Sequence, residues 1–462
     1  MPQQIRQQEM VRVDGLTKGQ RWQDISLLLT GPWVPASVAG MRLTLIALLL
    51  FVLHTLACSS LSASRPAKEG TAEELRSALR EDFRYGRLDR DAVRDLAYLV
   101  GEREVRESKG EQAIQRVQQA RGCARDLEDV LEDRAEGTDK AAALAAMALL
   151  AIDRGRPSAW RSHRTSSDPD WRAVGVRTLT LAEEGQWRRA AMVDLDQNVR
   201  LAAAQASEKA MDPADRAALL DVARNDPEVL VRVAAIRALG WIATEQDVHF
   251  MRDLWPLAPA PARQALVSAW AFPGTMERRG LEQIRWVAET ETGTPAIIAA
   301  GILYRYGEST RGVGAAMLRK AIQQGIARDR VFAIAMAPYR EPQWLELLKE
   351  TAEQAEPIVR VAALEKLALH PETAAMAREK LGHIAVSGQA GQHEARQSMA
   401  RVGDRRVLRL LLQDAKSSKP SVRLSAMHSL LTLDEWARAS FFLADPEPSA
   451  RMHTACALLS KP

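Results

Sequence analysis

Residues 226–240 read Asp226-Pro227-Glu228-Val229-Leu230-Val231-Arg232-Val233-Ala234-Ala235-Ile236-Arg237-Ala238-Leu239-Gly240. Val231, Ala234, Ala235 and Ala238 are spaced i, i+3, i+4, i+7, which is one face of a helix. Small residues on that face let a neighbouring helix come close, while Leu239 fills the deeper space. The Asp226-Pro227 pair predicts a helix start, with Asp capping free N–H groups and Pro at the first helical position. Asp445-Pro446 reads the same way, whereas Glu356-Pro357 and Lys419-Pro420 keep only the proline.

Blurred copies of this stretch recur about every 31 residues. Taking Arg232 and the small pair two and three residues later as the register, Arg200 has Ala202-Ala203, Arg360 has Ala362-Ala363, Arg423 has Ser425-Ala426 and Arg172 has Val174-Gly175. Arg451 is followed by His453-Thr454. Weaker copies sit at Arg263, Ile297, Arg330 and Gln392, and Lys140 extends the series at the front. An acid stands six residues before the arginine in three units, Asp194/Arg200, Asp226/Arg232 and Asp445/Arg451, placed to bond between adjacent repeats. A fixed period of this length implies stacked helical hairpins, each burying its apolar face only against its neighbours. The expectation is an all-α fold, an α-solenoid (superhelix) of about eleven antiparallel helix pairs over residues 125–462.

The Asp-Pro, Val-Arg and Ala-Ala elements resemble the second-helix signature of HEAT-repeat proteins, in the short form named after phycobilisome lyases. That resemblance implies paired antiparallel helices with a concave surface used for protein partners. Composition agrees, since 47% apolar residues with only 5% aromatic suit helices better than sheets. A net charge of +4 over 462 residues, without any Lys/Arg block, gives no nucleic-acid track.

The N-terminus adds an address. Met41-Arg42 is followed by the apolar run Leu43 to Leu53, broken only by Thr44, and then by His54-Thr55-Leu56-Ala57-Cys58-Ser59-Ser60. A basic start, a short apolar stretch and a small residue before the cut describe a secretory signal. The run is shorter than the ~20 residues that span a bilayer. Ala57-Cys58-Ser59-Ser60 resembles a bacterial lipobox, although Thr55 stands where that motif prefers leucine. The resemblance implies lipidation at Cys58. Residues 1–40 are then a non-native N-terminal extension, 41–57 the signal peptide, 58–70 a small polar tether and 71–124 a helical cap over the first repeat. Within the cap, Thr71 and Glu74 form a capping box, and further helices are expected over 91–100 and 111–131.

Motifs for chemistry are sparse. Cys123 and Cys456 lie near opposite ends of the array, which argues against a disulfide between them. The histidines show no metal-ligand spacing. His393-Glu394 resembles the His-Glu pairs of deoxyhypusine hydroxylase, a HEAT-repeat di-iron enzyme, yet one pair cannot supply an iron site. The sequence thus assigns no catalytic, cofactor or metal residues, and one modification site, Cys58. Trp241, Trp255, Trp270 and Trp286 fall in consecutive units, either filling gaps between Ala-rich helices or anchoring a partner. The expectation is a non-catalytic interaction scaffold at the periplasmic or outer-membrane face. It would be lipid-anchored through Cys58 and would take a protein or extended peptide, not nucleic acid. The alternative is a cytoplasmic HEAT-type accessory or lyase-like factor.

Overall fold

Each register position lies in a helix, and the residue three positions beyond it is buried in every unit. The computed structural model describes residues 61–152, 157–306, 308–338 and 341–461. Cys58, the expected extension 1–40 and the expected signal 41–57 lie outside the described residues. Eleven helices carry the register: Lys140–Ala151, Pro169–Arg177, Gln197–Ala210, Val229–Ile242, Ala260–Trp270, Gly293–Tyr306, Ala327–Met336, Pro357–Leu367, Gln392–Arg401, Pro420–Thr432 and Pro448–Ser460. They are numbered here as repeats one to eleven. Helical segments precede them as antiparallel partners, from Glu128–Ala135 in repeat one onward; the partners are longer than the register helices in repeats seven to nine and mostly shorter or broken elsewhere. No strand occurs among the described residues.

The helices that carry the register pack directly against one another from repeat to repeat, at most steps more extensively than their partners do. A stack pinched on one side curves toward that side, so these are the inner helices and line a concave face. Side-chain size explains the pinch. Val231, Ala234, Ala235 and Ala238 are all buried, as are Val199, Ala202, Ala203 and Ala206. In repeat two the second small residue is Gly175, and a Cβ there would meet the backbone nitrogen of Arg164 at 2.0 Å. Nothing larger than glycine fits that approach. The result is an all-α solenoid of HEAT-like helix pairs.

The solenoid closes on itself. Ahead of the repeats stand α1 (Ser64–Glu69), α2 (Ala72–Arg84), α3 (Arg90–Arg106) and α4 (Gly110–Ala120). The inner helix of repeat eleven packs on α3 and α4, and α4 packs on the inner helix of repeat one. The expected cap over repeat one therefore also covers repeat eleven and joins the two ends. Cys123 and Cys456 form a disulfide across this join, 333 residues apart in sequence with Cα atoms 4.9 Å apart. The inference against that bond assumed that the ends of a repeat array are distant, and closure removes the assumption. On a chain-entropy argument, a cross-link over so long a loop destabilises the unfolded chain by about 6 kcal/mol.

Two other expectations change. The described part of the expected tether, 61–70, is folded: Ala63 and Ala67 are fully buried in the core. The buried Asp82 carboxylate accepts from the Ser62 and Ala63 backbone N–H groups, and Arg103 donates to the Pro66 and Gly70 carbonyls. Small residues here serve close packing rather than looseness. The helix expected over 111–131 is broken: α4 ends at Ala120, and the chain turns through Arg121–Cys123 before Glu128–Ala135 begins. The capping box is present, with Glu74 N–H donating to Thr71 Oγ1 and Thr71 N–H to Glu74 Oε2.

Candidate binding surface and its seam

The inner helices are fixed relative to one another by a ladder of arginines. Arg172 donates through Nε and Nη2 to both oxygens of Asp194, at 2.8 and 3.0 Å, and through Nη1 to the Ser166 and Ser167 carbonyls. Arg200 repeats the pattern on Asp226, Asp194 O and Leu195 O, and Arg423 on Asp445, Ser417 O and Ser418 O. Each arginine thus ties its own preceding loop to the acid of the next repeat. The planar fork of guanidinium suits this double duty, and lysine does not. The Arg172 fork holds the Asp194 carboxyl below its ordinary range, and Asp194 in turn raises the Arg172 pKa.

The acids do a different job from the one their Asp-Pro setting predicts. The inner helix of repeat four starts at Val229, two residues beyond Pro227, and Asp226 is not its N-cap. Its Oδ1 accepts from Glu228 N–H in a tight loop while both oxygens face Arg200. Asp445 does the same with Glu447 N–H. Glu356-Pro357 and Lys419-Pro420 do place proline in the first helical turn.

At the seam the ladder continues with a substitute. Arg451 donates through Nη1 to Asp445 O and Pro446 O as its counterparts do, and its Nε reaches Glu104 Oε1 at 2.7 Å. Glu104, on α3, takes the place of the acid that a twelfth repeat would bring. Gln119 Nε2 donates to Ser449 Oγ, and Arg76 Nη2 to the Ala444 carbonyl. Together with the disulfide, these bonds make the two termini of the array one surface. Sequence reasoning missed them. The available signal was arithmetic: once Cys58 is assigned to an anchor, two cysteines remain, and an even pair in an exported chain reads as a disulfide.

Facing the concave side, the inner helices expose a stripe five residues beyond the register position, one helical turn along from Val233 to Arg237 in repeat four. Its polar members link sideways. Arg177 donates to Gln205, Arg237 to Glu208 at 2.9 Å, and Lys366 to the Ala335 carbonyl. Glu365 accepts from both Ser398 and Arg401. Between repeats seven and nine, Ile358, Ala362, Glu365 and Arg401 line a cavity of about 230 Å³. A larger one, about 510 Å³, opens at the seam between Gln115, Gln119, His428 and His453. His428 reaches solvent on this wall yet is ringed by protein. That desolvation, and the nearby His453, hold its imidazole below the ordinary pKa. The lining is mixed: apolar steps, amides and paired charges, suited to an irregular polypeptide rather than to one small polar molecule.

The tryptophans divide. Trp270 and Trp344 are fully buried, and Trp171, Trp255 and Trp436 nearly so, as gap fillers. Trp187 and Trp241 are exposed. Trp241 lies at the end of the exposed stripe of repeat four, stacked on Phe272 at 4.5 Å between ring centroids. His393 Nδ1 lies 3.3 Å from Asp414 Oδ1, to which Arg396 also donates. Among the described residues, no three His, Cys, Asp or Glu side chains converge to hold a metal ion. No described helix is long and apolar enough to cross a membrane.

No protein-family model matches the chain, and no curated protein sequence matches it. Among solved structures it is similar to Kap121p, with a TM-score of 0.34 and 13% identity over 83% of this chain and 49% of that one. The karyopherin Kap121p bound to the extreme C-terminus of the protein phosphatase Cdc14p gives 0.34 and 14%, over 79% and 48% of the two chains. Kap121p bound to Pho4p gives 0.34 and 14%, over 83% and 50%. The chain spans about half the length of these solved chains, and a global agreement this loose carries no argument about partner or activity.

Proposed function

We propose that the protein is a non-catalytic scaffold that holds a protein or extended peptide against its concave face, exported and lipid-anchored at the bacterial envelope through Cys58. The concave stripe carries the reading: side chains from successive inner helices, cross-linked sideways, form a surface that follows a chain from repeat to repeat. Trp241, exposed on that stripe beside Arg237, supplies the residue types that dominate binding energy at interfaces. Export is supported by the Cys123–Cys456 disulfide, because such bonds persist in oxidising compartments and are rare in a reducing cytoplasm. The same bond disfavours the cytoplasmic accessory reading.

Photo-crosslinking in cells tests the binding face. A crosslinker at Arg237 is expected to trap a discrete partner, whereas one at Glu350 on the outer helix Pro342–Gln354 traps none. Equal trapping at both positions defeats the concave-face reading. The address is tested separately by labelling with a radioactive fatty acid. Cys58→Ala is expected to lose the label and to leave the membrane fraction, and retention of either result overturns the anchor.

A further inference from the structure

Closure of the ring creates a cavity that no single repeat possesses. About 790 Å³ in volume, it lies between α2, the end of the outer helix of repeat ten and the outer segment of repeat eleven. That size falls within the range of small-molecule sites. Its floor is apolar, made by Leu412, Phe441 and Phe442. The packing of Phe83 on Phe441, with centroids 5.6 Å apart, keeps α2 over one side.

The rim is cationic and largely uncompensated. Asp445 is the carboxylate among the lining residues, and Arg423 occupies both its oxygens at 2.7 and 2.8 Å. Arg438 is paired with Glu435. Arg76 gives one Nη2–H to the Ala444 carbonyl and keeps its other donors. Arg80 and Lys416 line the cavity with no acid partner among the described residues. Three cations over an apolar floor describe a bipolar ligand, with an anionic head at one end and a hydrocarbon body at the other.

We propose that this seam cavity binds a single-chain anionic amphiphile. Arg76, Arg80 and Lys416 hold its carboxylate or phosphate, and its chain lies over Leu412, Phe441 and Phe442. The inference goes beyond the scaffold reading and does not depend on a concave-face partner. Such a ligand bridges α2 and the last two repeats, so it also fastens the closed ring.

Calorimetric titration of the full, disulfide-bonded chain with dodecanoate and with dodecyl phosphate is the test. One saturable site is expected. The double variant Arg80→Glu/Lys416→Glu should weaken it about tenfold or more, the loss of charge-assisted hydrogen bonds. These two side chains make no hydrogen bond or ion pair among the described residues, so circular dichroism and the disulfide should be unchanged. Arg80→Lys is expected to retain binding, and Leu412→Glu to abolish it by placing charge on the floor. Equal binding of uncharged dodecyl maltoside, an unaffected double variant, or the absence of saturable heat overturns the proposal. So does an acidic peptide that displaces dodecanoate more strongly than dodecyl phosphate does. Vesicles of phosphatidylcholine with phosphatidylglycerol separate the sources. Co-flotation of the chain with them, lost in the double variant, identifies a membrane lipid as the ligand, and saturable dodecanoate binding without co-flotation identifies a free amphiphile.

Discussion

Repeats two to four are joined through arginine forks on aspartates, whereas repeats five and six are joined through a cluster of tryptophans. In the first region Arg172 and Arg200 each bind a carboxylate twice and two loop carbonyls besides. In the second, Arg263 lies 3.8 Å from Glu291 and sits instead over the ring of Trp255. Trp255 stacks on Trp270 at 5.9 Å and meets Trp286 edge-on at 5.6 Å. The contrast extends to polar satisfaction. Arg172 and Arg200 each use four of their five N–H donors, while the buried indole N–H groups of Trp255 and Trp270 have no acceptor among the described residues. One region gains orientation from directional bonds and the other gains area. Weak sequence copies are therefore not weak repeats: they are repeats whose junctions use another chemistry.

The largest expected effect lies in the aromatic region. Trp270 is fully buried and touches Trp255, so Trp270→Ala should destabilise by about 3–5 kcal/mol through the cavity it leaves. Trp270→Phe should cost much less, because it keeps most of the area and removes an unpaired donor. Denaturant unfolding followed by circular dichroism checks both. Similar losses for the two variants would mean that the indole N–H finds a partner in solution, and the contrast in polar satisfaction would fall.

Next in size is the ladder. Asp226→Ala strips Arg200 of a carboxylate while both side chains are largely buried, 12% and 3% exposed. A loss of about 2–4 kcal/mol is expected, much of it the cost of a stranded guanidinium. Glu291→Ala removes the longer and more exposed pairing with Arg263 and should cost less than about 1 kcal/mol. Equal effects would erase the distinction between the regions.

The ladder also sets a pH signature. The folded-state pKa of Asp194 lies below its ordinary value, chiefly through the Arg172 hydrogen bonds. A depressed carboxylate gives stability that is complete above its unfolded pKa of about 3.9 and fades as pH falls through the lower folded value. The stability difference between the parent chain and Asp194→Asn should accordingly be constant near neutrality and shrink below about pH 4. A difference that persists undiminished at lower pH would show that the bonds to neutral groups, not the charge, hold this junction.

These contrasts also explain what the sequence made legible. The register was readable because close helix approach demands small residues at fixed spacing, and the eleven positions from Lys140 to Arg451 all fall on inner helices. The Asp194, Asp226 and Asp445 positions were readable as inter-repeat bonds, since an acid at constant offset from an arginine has a constant neighbour. Closure was not readable. Nearest-neighbour patterns fix each step but not the rotation summed over eleven of them, and ring closure depends on that sum. Glu104 illustrates the point: it does the work of a ladder acid from a helix with no repeat signature, so only the folded chain reveals it. Cys58 and the expected signal lie outside the described residues, and the test of the proposed anchor is biochemical.

The smallest expected effect probes the border between the two regions. Arg232 makes its two carbonyl bonds, to Asp226 O and Pro227 O, like every ladder arginine. Six residues before the next register position, Arg263, stands Leu257 where the ladder would require an acid, and that leucine is 86% exposed. Replacing an exposed leucine removes almost no buried area, so Leu257→Asp tests the bond alone. If junction geometry is shared across the array, the new carboxylate meets Arg232 and stability rises by up to about 1 kcal/mol, limited by solvent at this edge. The double variant Leu257→Asp/Arg232→Gln should lose the gain, and a thermodynamic cycle isolates the coupling. A gain that survives in the double variant would come from solubility or helix-end charge instead. No gain at all would mean that the tryptophan cluster has shifted this junction off the ladder register, making the two regions distinct in geometry as well as in chemistry.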